Sequence, residues 1–261
     1  MIDPDSIWPM LLVLAAFAGF VDAVAGGGGL IQVPALFAAL PREAPATLLG
    51  TNKLASIFGT LNAARKYARE VVMPWSIVLP TALAAAVFSF AGAAVAVWLP
   101  KEVLRPLVLM LLVAVAIYTW SKPDFGTQAT SARVAPGRLF WAAVVAGALL
   151  GFYDGIFGPG AGSFMIFVFV RLFGMDFLHA SASAKIVNAA TNAGAILLFA
   201  PQGHMLWLLG FGMAACNIVG AQFGSKLAIR HGSGFVRAVF LVMTSLLIAK
   251  IGWDTVLNVL N

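Results

Sequence analysis

The sequence predicts an all-α, polytopic membrane protein built from two repeats, and three observations predict it. The chain of 261 residues is 61% hydrophobic and 10% charged, whereas soluble domains carry about 25% charged residues. Apolar stretches long enough to cross a hydrocarbon core of ~30 Å recur along it, at residues 48–64, 75–99, 104–120 and 206–229. The third observation is an internal duplication.

The duplication appears when the chain is shifted by 132 positions, which carries Asp22 onto Asp154. No gap is needed to match the rest of the two halves. The other matched pairs are Gly19 with Gly151, Phe20 with Phe152, Gly26 with Gly158, Gly28 with Gly160, Lys53 with Lys185, Trp75 with Trp207, and Gly92 with Gly224. Paired hydrophobic segments interrupted by Gly, at corresponding positions of two halves, commonly mark the binding site of a transporter.

Each half contains the same series of segments. In the first half, a short apolar run at residues 7–21 is followed by a Gly-rich break at 26–29, a second short run at 30–40, and three longer runs. The second half repeats this series from about residue 139. Residues 121–138 form the longest polar stretch and have the composition of a linker. We therefore predict a first transmembrane repeat at 1–120, a cytoplasmic linker at 121–138 and a second transmembrane repeat at 139–261.

Loop charges predict how the two halves are oriented. Arg65, Lys66 and Arg69 make one loop of the first half basic, whereas the matching loop at residues 200–203 carries no charge. One loop later the order reverses, since the second half carries the basic cluster Lys226, Arg230, His231 and Arg237. Because loops rich in Lys and Arg are cytoplasmic, we predict that the repeats are inverted and that the linker is cytoplasmic.

The two short runs around each break could be arranged in two ways. A run of about 12–16 residues rises only about 18–24 Å as a helix, which is too short to cross a bilayer comfortably. Inversion requires an odd number of crossings in each half, so we favour a re-entrant hairpin followed by three transmembrane helices. The alternative is a single broken helix in place of each hairpin, which gives eight crossings and parallel repeats.

Lys53 and Lys185 are the candidate centre of a functional site. Lys53 lies about 12 residues, or ~18 Å of helix, before the basic loop. Lys185 lies equally far from the uncharged loop, so both charges converge on the midplane of the bilayer. An intramembrane charge marks a functional site by default, and an anion is its natural counter-charge. Alternatively, each Lys snorkels to the surface, or pairs with Asp22 or Asp154 to hold helices together.

Small polar residues surround both Lys residues. Lys185, Asn188 and Asn192 are spaced so that they share one helix face and can point into one cavity. We predict a substrate-binding set of Thr51, Asn52, Lys53, Ser183, Lys185, Asn188 and Asn192. Ser, Thr and Asn also join transmembrane helices through hydrogen bonds. This second role is at least as well supported for Ser56, Asn62 and Ser181.

The Gly-rich breaks add candidate backbone donors. A break frees N–H groups, and the half-helix that follows presents its positive N-terminal end, which suits an oxyanion. The candidate donors are Gly27, Gly28, Gly160, Gly162 and Ser163. Close packing of helices through small residues is a compatible alternative.

Asp22 and Asp154 flank the two breaks and are candidates for coupling or gating. They could bind a coupling proton, balance the Lys charges, or satisfy backbone N–H groups of a hairpin. We predict no metal and no cofactor, because His179, His204 and His231 are far apart and no Gly-Lys-Ser/Thr follows the glycines. Nucleic acid is not an expected partner, because the basic residues lie at the ends of segments.

Four motifs of the chain resemble the TauE/SafE family of membrane proteins, which is named for sulfite and sulfonate exporters. The motifs are GGGGLIQVP at residues 26–34, GTNKLAS at 50–56, GFYDGIFGPGAGSF at 151–164 and AKIVNAATN at 184–192. The resemblance covers nearly the whole chain. It implies a multi-pass transporter of the bacterial inner membrane that exports or takes up small organosulfur and other organic anions.

These observations lead to one functional hypothesis and several alternatives. We expect a secondary transporter, not an enzyme, that moves a small organic or sulfur-containing anion by alternating access at a midplane site between the repeats. Its partners would be the anion, the lipid bilayer and a coupling proton or other ion. The alternatives are an anion channel or facilitator and, with less support, an integral-membrane enzyme or an assembly subunit. The oligomeric state is left open.

Overall fold

A computed structural model describes residues 4–98 and 126–260, and within these ranges the regular structure of the protein is entirely helical. The first repeat contains α1 (Pro4–Ala25), α2 (Gly29–Ala39), α3 (Pro45–Glu70) and α4 (Trp75–Ala96). The second contains α5 (Leu139–Ile156), α6 (Ala161–Phe173), α7 (Phe177–Phe199) and α8 (Trp207–Leu260). A 3-10 turn, Pro136–Arg138, precedes α5.

The prediction of an all-α polytopic membrane protein is confirmed. Five of the described helices, namely α1, α4, α5, α7 and α8, are long and apolar enough to cross a membrane. Helix α3 has 26 residues, enough length to cross, but it is more polar than these five because it carries Lys53, Arg65 and Lys66. The run predicted at 104–120 and the start of the predicted linker, 121–125, lie outside the described residues.

The prediction of two short arms in each half is wrong for the first arm. Helix α1 has 22 residues and α5 has 18, whereas the second arms, α2 and α6, have 11 and 13. The sequence predicts the first arm at residues 7–21. Asp22 instead stays helical, since Lys185 of α7 pairs with its side chain, and α1 continues to Ala25.

Glycine conformation ends both first arms. Gly26 has φ 75° and Gly158 has φ 88°, values in the left-handed region that favours Gly over other residues. After Gly26 the chain folds back, since a Cβ built on Gly28 would lie 2.7 Å from the Ala18 carbonyl oxygen, back along α1. This reversal favours a hairpin at the first break over a broken spanning helix.

The two repeats interlock through pairs of helices that are equivalent under the duplication. Helix α1 packs along α8 of the other repeat, and its equivalent α5 packs along α4. Likewise α3 packs on α8 and α7 packs on α4, while α3 and α7 contact each other. The described parts of the two repeats therefore form one body with α3 and α7 at its centre. The orientation of the repeats relative to the bilayer stays a prediction.

Equivalent glycines allow two of these helix pairs to cross closely. A Cβ on Gly19 of α1 would collide with the backbone oxygen of Asn217 in α8, and one on Gly151 of α5 would collide with that of Ala85 in α4. The shift of 132 positions relates one contact to the other, because it pairs Gly19 with Gly151 and Ala85 with Asn217. Small residues bring transmembrane helices together in this way, so the duplication is visible in packing as well as in sequence.

Helix α8 is kinked at Gly232, where φ is 72° and ψ is −165°. The next residue, Ser233, donates a hydrogen bond of 2.7 Å to Asp176 Oδ1. Asp176 caps α7 by accepting from the backbone N–H groups of Leu178 and His179. Burial raises the pKa of Asp176, but bonds from the His179 side chain, the His179 backbone and Ser233 outweigh it and lower the pKa to about 2. This carboxylate ties the start of α7 to the kink of α8.

Candidate functional site

Two ion pairs link the repeats at equivalent positions. Lys53 Nζ of α3 lies 2.7 Å from Asp154 Oδ1 of α5, and Lys185 Nζ of α7 lies 3.0 Å from Asp22 Oδ2 of α1. The duplication relates one pair to the other, and all four residues are buried except Asp22, whose side chain is 13% exposed. Each Lys therefore has the carboxylate partner that the sequence offered as an alternative, and the four charges together are neutral.

The pair of Lys185 and Asp22 belongs to a cap on the end of α1. The last four carbonyl groups of an α-helix lack partners within the helix. Here each of the last four carbonyl groups accepts from a side chain of another helix: Asp22 O from Lys185, Ala23 O from Tyr67, Val24 O from Ser181, and Ala25 O from Ser163. Asp22 O also accepts from the backbone N–H of Gly26 at 2.9 Å. The ammonium group of Lys185 also opposes the negative end of the helix dipole.

The carboxylate of Asp22 is held as firmly as its carbonyl group. Its Oδ2 accepts from Lys185 Nζ at 3.0 Å and from Thr60 Oγ1 at 3.4 Å. Lys185 itself is 0% exposed. The structure therefore gives this pair a structural role at the end of α1.

The pair of Lys53 and Asp154 has fewer partners. Among the described residues, Lys53 Nζ has Asp154 Oδ1 as its polar partner, and Asp154 Oδ2 is buried with none. The equivalent of Thr60 is Asn192, but Asn192 donates to Asn188 Oδ1 at 3.2 Å rather than to Asp154. The positions that match Tyr67, Ser181 and Ser163 are apolar: they are Phe199, Leu49 and Ile31.

A polar cavity lies where the two breaks meet α3 and α7. It contains about 290 Å³ of space not filled by atoms, part of it open to the outside. Its lining includes residues of both repeats, which are Asp22, Gly26, Gly29, Asn52, Lys53, Ser56, Asp154, Gly158, Gly162, Asn188 and Asn192. The structure thus brings together Lys53, both Asp residues, the three predicted Asn residues and Gly162.

The other predicted site residues lie outside this lining. Thr51 Oγ1 donates to Thr47 O at 2.7 Å and accepts from Leu206 N at 3.0 Å. Ser183 Oγ lies 3.6 Å from the sulfur of Met175, and Ser163 and Lys185 belong to the α1 cap. Gly27 and Gly28 turn back against α1, and Gly160 is the left-handed N-cap of α6. These side chains and turns support the frame around the cavity.

Sequence reasoning missed Gln32 of α2. Gln32 is 0% exposed, and its Oε1 accepts from Ser56 Oγ of the cavity lining at 3.0 Å. Its Nε2 is buried without a hydrogen-bond partner, as is the Oδ1 atom of Asn52. A lone amide in the apolar run after the first break was the available signal. Ser56, for which the sequence supports a helix contact at least as well as a place in the site, lines the cavity.

No three His, Cys, Asp or Glu side chains in the described ranges come close enough to hold a metal ion. The polar groups of the cavity are an ammonium, two carboxylates, amides and a hydroxyl. This set can bind and orient a small polar or charged molecule through hydrogen bonds and charge.

Apolar helices of membrane-spanning length around a polar, charged cavity are the features of a membrane transport protein. Residues 11–251 match the model of the family described as "Sulfite exporter TauE/SafE". The chain therefore belongs to the TauE/SafE family, and the family prediction is confirmed. No solved structure matches the chain significantly.

Relatives in bacteria carry transporter names. The chain is 40% identical to the probable membrane transporter protein ORF9 of a Sinorhizobium species, over 90% of this chain and 88% of that protein. It is 36% identical to the probable membrane transporter protein YfcA of Escherichia coli K12, over 94% and 90%. A probable membrane transporter protein of Haemophilus influenzae is 35% identical over 94% of each chain.

Proposed function

We propose that this membrane protein is a secondary transporter of the bacterial inner membrane for a small organic or sulfur-containing anion, such as sulfite or a short sulfonate. Binding takes place in the cavity between the two breaks, and alternating access exposes that cavity to each side in turn. The observation that carries the proposal is the position of Lys53, an ammonium group with a single carboxylate partner, on the wall of a cavity shared by both repeats.

Lys53 is the proposed anchor for the anion. An ammonium group has three donors, and Asp154 occupies one direction around Nζ at 2.7 Å. The remaining donors can bind an oxyanion, and charge-assisted bonds of this kind are about twice as strong as neutral ones. The description of the family as a sulfite exporter agrees with an oxyanion in this position.

Neutral donors around Lys53 would orient the anion. Asn188 and Asn192 reach the cavity from α7, Asn52 and Ser56 from α3, and Gly162 lies in the first turn of α6. Backbone N–H groups in a first helical turn are turned toward the helix N-terminus and favour negative charge. The three or four oxygens of a sulfonate, sulfite or sulfate group match such a set of separate donors.

The test is transport into liposomes that contain the purified protein. Uptake of sulfite, ethanesulfonate, taurine, sulfate and acetate is measured against concentration. We expect saturable uptake of at least one sulfur oxyanion. Uptake that rises linearly without saturation would indicate a channel, and no uptake of any of the five compounds would overturn the proposed function.

Two variants locate the site within the same assay. Lys53→Met should abolish uptake, whereas Lys226→Met, which removes an exposed charge from α8, should leave it unchanged. The double variant Lys53→Met with Asp154→Asn removes both charges of the pair, so that no unpaired carboxylate remains. If this double variant transports the anion as well as the wild type, the proposed anchor is wrong.

A further inference from the structure

We propose that Asp154 is the proton-binding residue of this transporter and that its equivalent, Asp22, is not. When an anion binds Lys53, Asp154 takes up one proton and becomes a neutral acid, so that one proton moves with each anion. The inference rests on the proposed function, because it concerns the same cavity.

The first argument is charge balance. The pair of Lys53 and Asp154 is neutral, and so is the pair of Lys185 and Asp22. An anion that enters this cavity adds one uncompensated negative charge, and burying such a charge is costly. An anion together with a proton adds no net charge. Lys53 then pairs with the anion instead of Asp154, and the carboxylate of Asp154 takes up the proton.

The second argument is the unpartnered oxygen. Asp154 is 2% exposed, and its Oδ2 has no hydrogen-bond donor among the described residues. A buried acceptor without a donor is unfavourable. A proton on this carboxyl group turns it from an acceptor into a donor, which can then bond to the anion beside it.

The third argument is that Asp154 cannot easily move away from the anion. It lies in the last turns of α5, where a Cβ on Gly151 would collide with the Ala85 backbone and one on Gly155 with the Ser89 backbone. These close crossings hold α5 against α4. Protonation neutralises Asp154 in place and requires no shift of α5.

Exposure alone would favour Asp22 as the proton-binding residue, because its side chain is 13% exposed and that of Asp154 is 3% exposed. The hydrogen-bond partners of the two carboxylates favour Asp154 instead. Lys185 and Thr60 hold the carboxylate of Asp22, and Lys185 also caps its carbonyl group. Protonation of Asp22 would weaken this cap and leave the ammonium of Lys185, which is outside the cavity lining, without a counter-charge. These contacts assign the proton to Asp154 rather than to Asp22.

The charged surroundings of Asp154 come from several helices. Lys53 of α3 touches it, and Asp22 of α1 shares the cavity with it. Helix α4 packs along α5 and contributes no titratable side chain. The remaining titratable side chains on α5 and on the elements packed against it are Arg138, Tyr153, Arg171, His179 and Lys185. Tyr153 donates a hydrogen bond to Pro159 O. His179 is hydrogen-bonded to Asp176, and Lys185 to Asp22. Lys185 balances the charge of Asp22, so the negative charge of an entering anion is balanced only if Asp154 takes up a proton.

The experiment counts protons taken up on binding. Methanesulfonate and ethanesulfonate serve as probes, because both are fully ionised anions of a single charge between pH 5 and 8 and take up no proton themselves. Calorimetric titration in buffers of different ionisation enthalpy should give about one proton per anion bound by the wild type. Asp154→Asn, which cannot ionise, should bind the anion with no proton uptake. Asp154→Glu keeps the carboxyl group and should restore the uptake.

A transport measurement distinguishes failure of this inference from failure of the proposed function. In liposomes, a proton gradient should drive accumulation of the anion by the wild type, and Asp154→Asn should exchange anions across the membrane without accumulating them. If the wild type binds and carries the anion with no proton uptake, or if Asp154→Asn still takes up a proton, the inference is wrong and the proposed function stands. If neither probe is bound or carried, the proposed function fails and the inference fails with it.

The control is the neutralised partner pair. Asp22→Asn with Lys185→Met removes both charges at the end of α1, and the folded fraction of this variant should take up the same proton as the wild type. Loss of proton uptake in that fraction would assign the proton to Asp22 and overturn the inference. If the variant does not fold, the proton count of the wild type and of Asp154→Asn decides the question.

Discussion

The ends of α1 and α5 began as copies of one segment and now differ in what surrounds the same ion pair. At the end of α1, four successive carbonyl groups accept hydrogen bonds from side chains of α3, α6 and α7, and one of these side chains is Lys185. At the end of α5 the matching positions are apolar, the carboxylate keeps an unpartnered oxygen, and Lys53 lines a cavity. A duplicated charge can thus be structural in one repeat and available to a ligand in the other.

The largest expected effect is a difference in thiol labelling between the two repeats, whose opposite orientation in the membrane is still a prediction. Ala68 and Gln202 are exposed and lie near loops with opposite basic character. In a chain whose Cys216 has been replaced, Cys at Ala68 and Cys at Gln202 should react with an impermeant thiol reagent from opposite sides of the membrane. Reaction of both from the same side would exclude inverted repeats.

The next effect separates the two Lys residues by stability. Lys185→Met leaves the Asp22 carboxylate without its cation and the α1 cap incomplete, and breaking a buried pair in this way costs about 3–5 kcal/mol. Lys53→Met should cost less, because Lys53 Nζ has one carboxylate partner among the described residues, whereas Lys185 also bonds a backbone carbonyl group at the end of α1. Thermal unfolding in detergent measures both. Equal losses would mean that the two pairs are equivalent.

A smaller effect tests the cap on α1. Ser181→Ala strands the backbone oxygen of Val24, to which Ser181 Oγ donates at 2.9 Å, and should lower the free energy of unfolding by about 1–2 kcal/mol. Ser225 is the matched control, because it is equally buried but donates only to carbonyl groups of its own helix. If Ser225→Ala destabilises the protein as much, the bond to α1 is not special.

The smallest effect concerns Asp176, which lies just before the apolar segment of α7. Asp176→Ala removes the cap of α7 and the bond to Ser233, at a cost of about 1 kcal/mol, while Asp176→Asn should keep most of the cap. The pKa of Asp176 is lowered to about 2, below the value of about 3.9 for an unfolded chain. Its stabilising effect should therefore be lost as the pH falls from about 4 toward 2. An effect that grows at low pH would contradict this assignment.

Sequence reasoning reached the helical class, the duplication and most of the cavity lining, because these follow from apolar length, the 132-residue shift and Gly-rich breaks. It treated Lys53 and Lys185 alike, since equivalent sequence positions carry no sign of different neighbours. The difference arises from Tyr67, Ser181 and Ser163, which approach α1 from three other helices and could not be assigned to it before folding. Gln32 was missed for a similar reason, because a single amide in an apolar run does not reveal that Ser56 meets it.

The length of the first arm also escaped sequence reasoning. The apolar run predicts an arm that ends at residue 21, whereas α1 continues past Asp22 to Ala25. The partner of Asp22, Lys185, is 163 residues away in the chain. No local pattern identifies that partner, so the helix end had to be read from the fold.

The central claim is that Lys53 binds the anion while Lys185 holds the fold. The direct measurement is the affinity of purified Lys53→Met and Lys185→Met for ethanesulfonate, with the melting temperature of each variant beside that of the wild type. Lys53→Met should bind about ten- to a hundredfold more weakly, which corresponds to the loss of one charge-assisted contact of about 1.5–3 kcal/mol. Lys185→Met should melt earlier, and when it is combined with Asp22→Asn, so that no unpaired carboxylate faces the cavity, its folded fraction should bind with wild-type affinity. Wild-type affinity in Lys53→Met, or an equal loss of affinity in Lys53→Met and in that double variant, would contradict the claim.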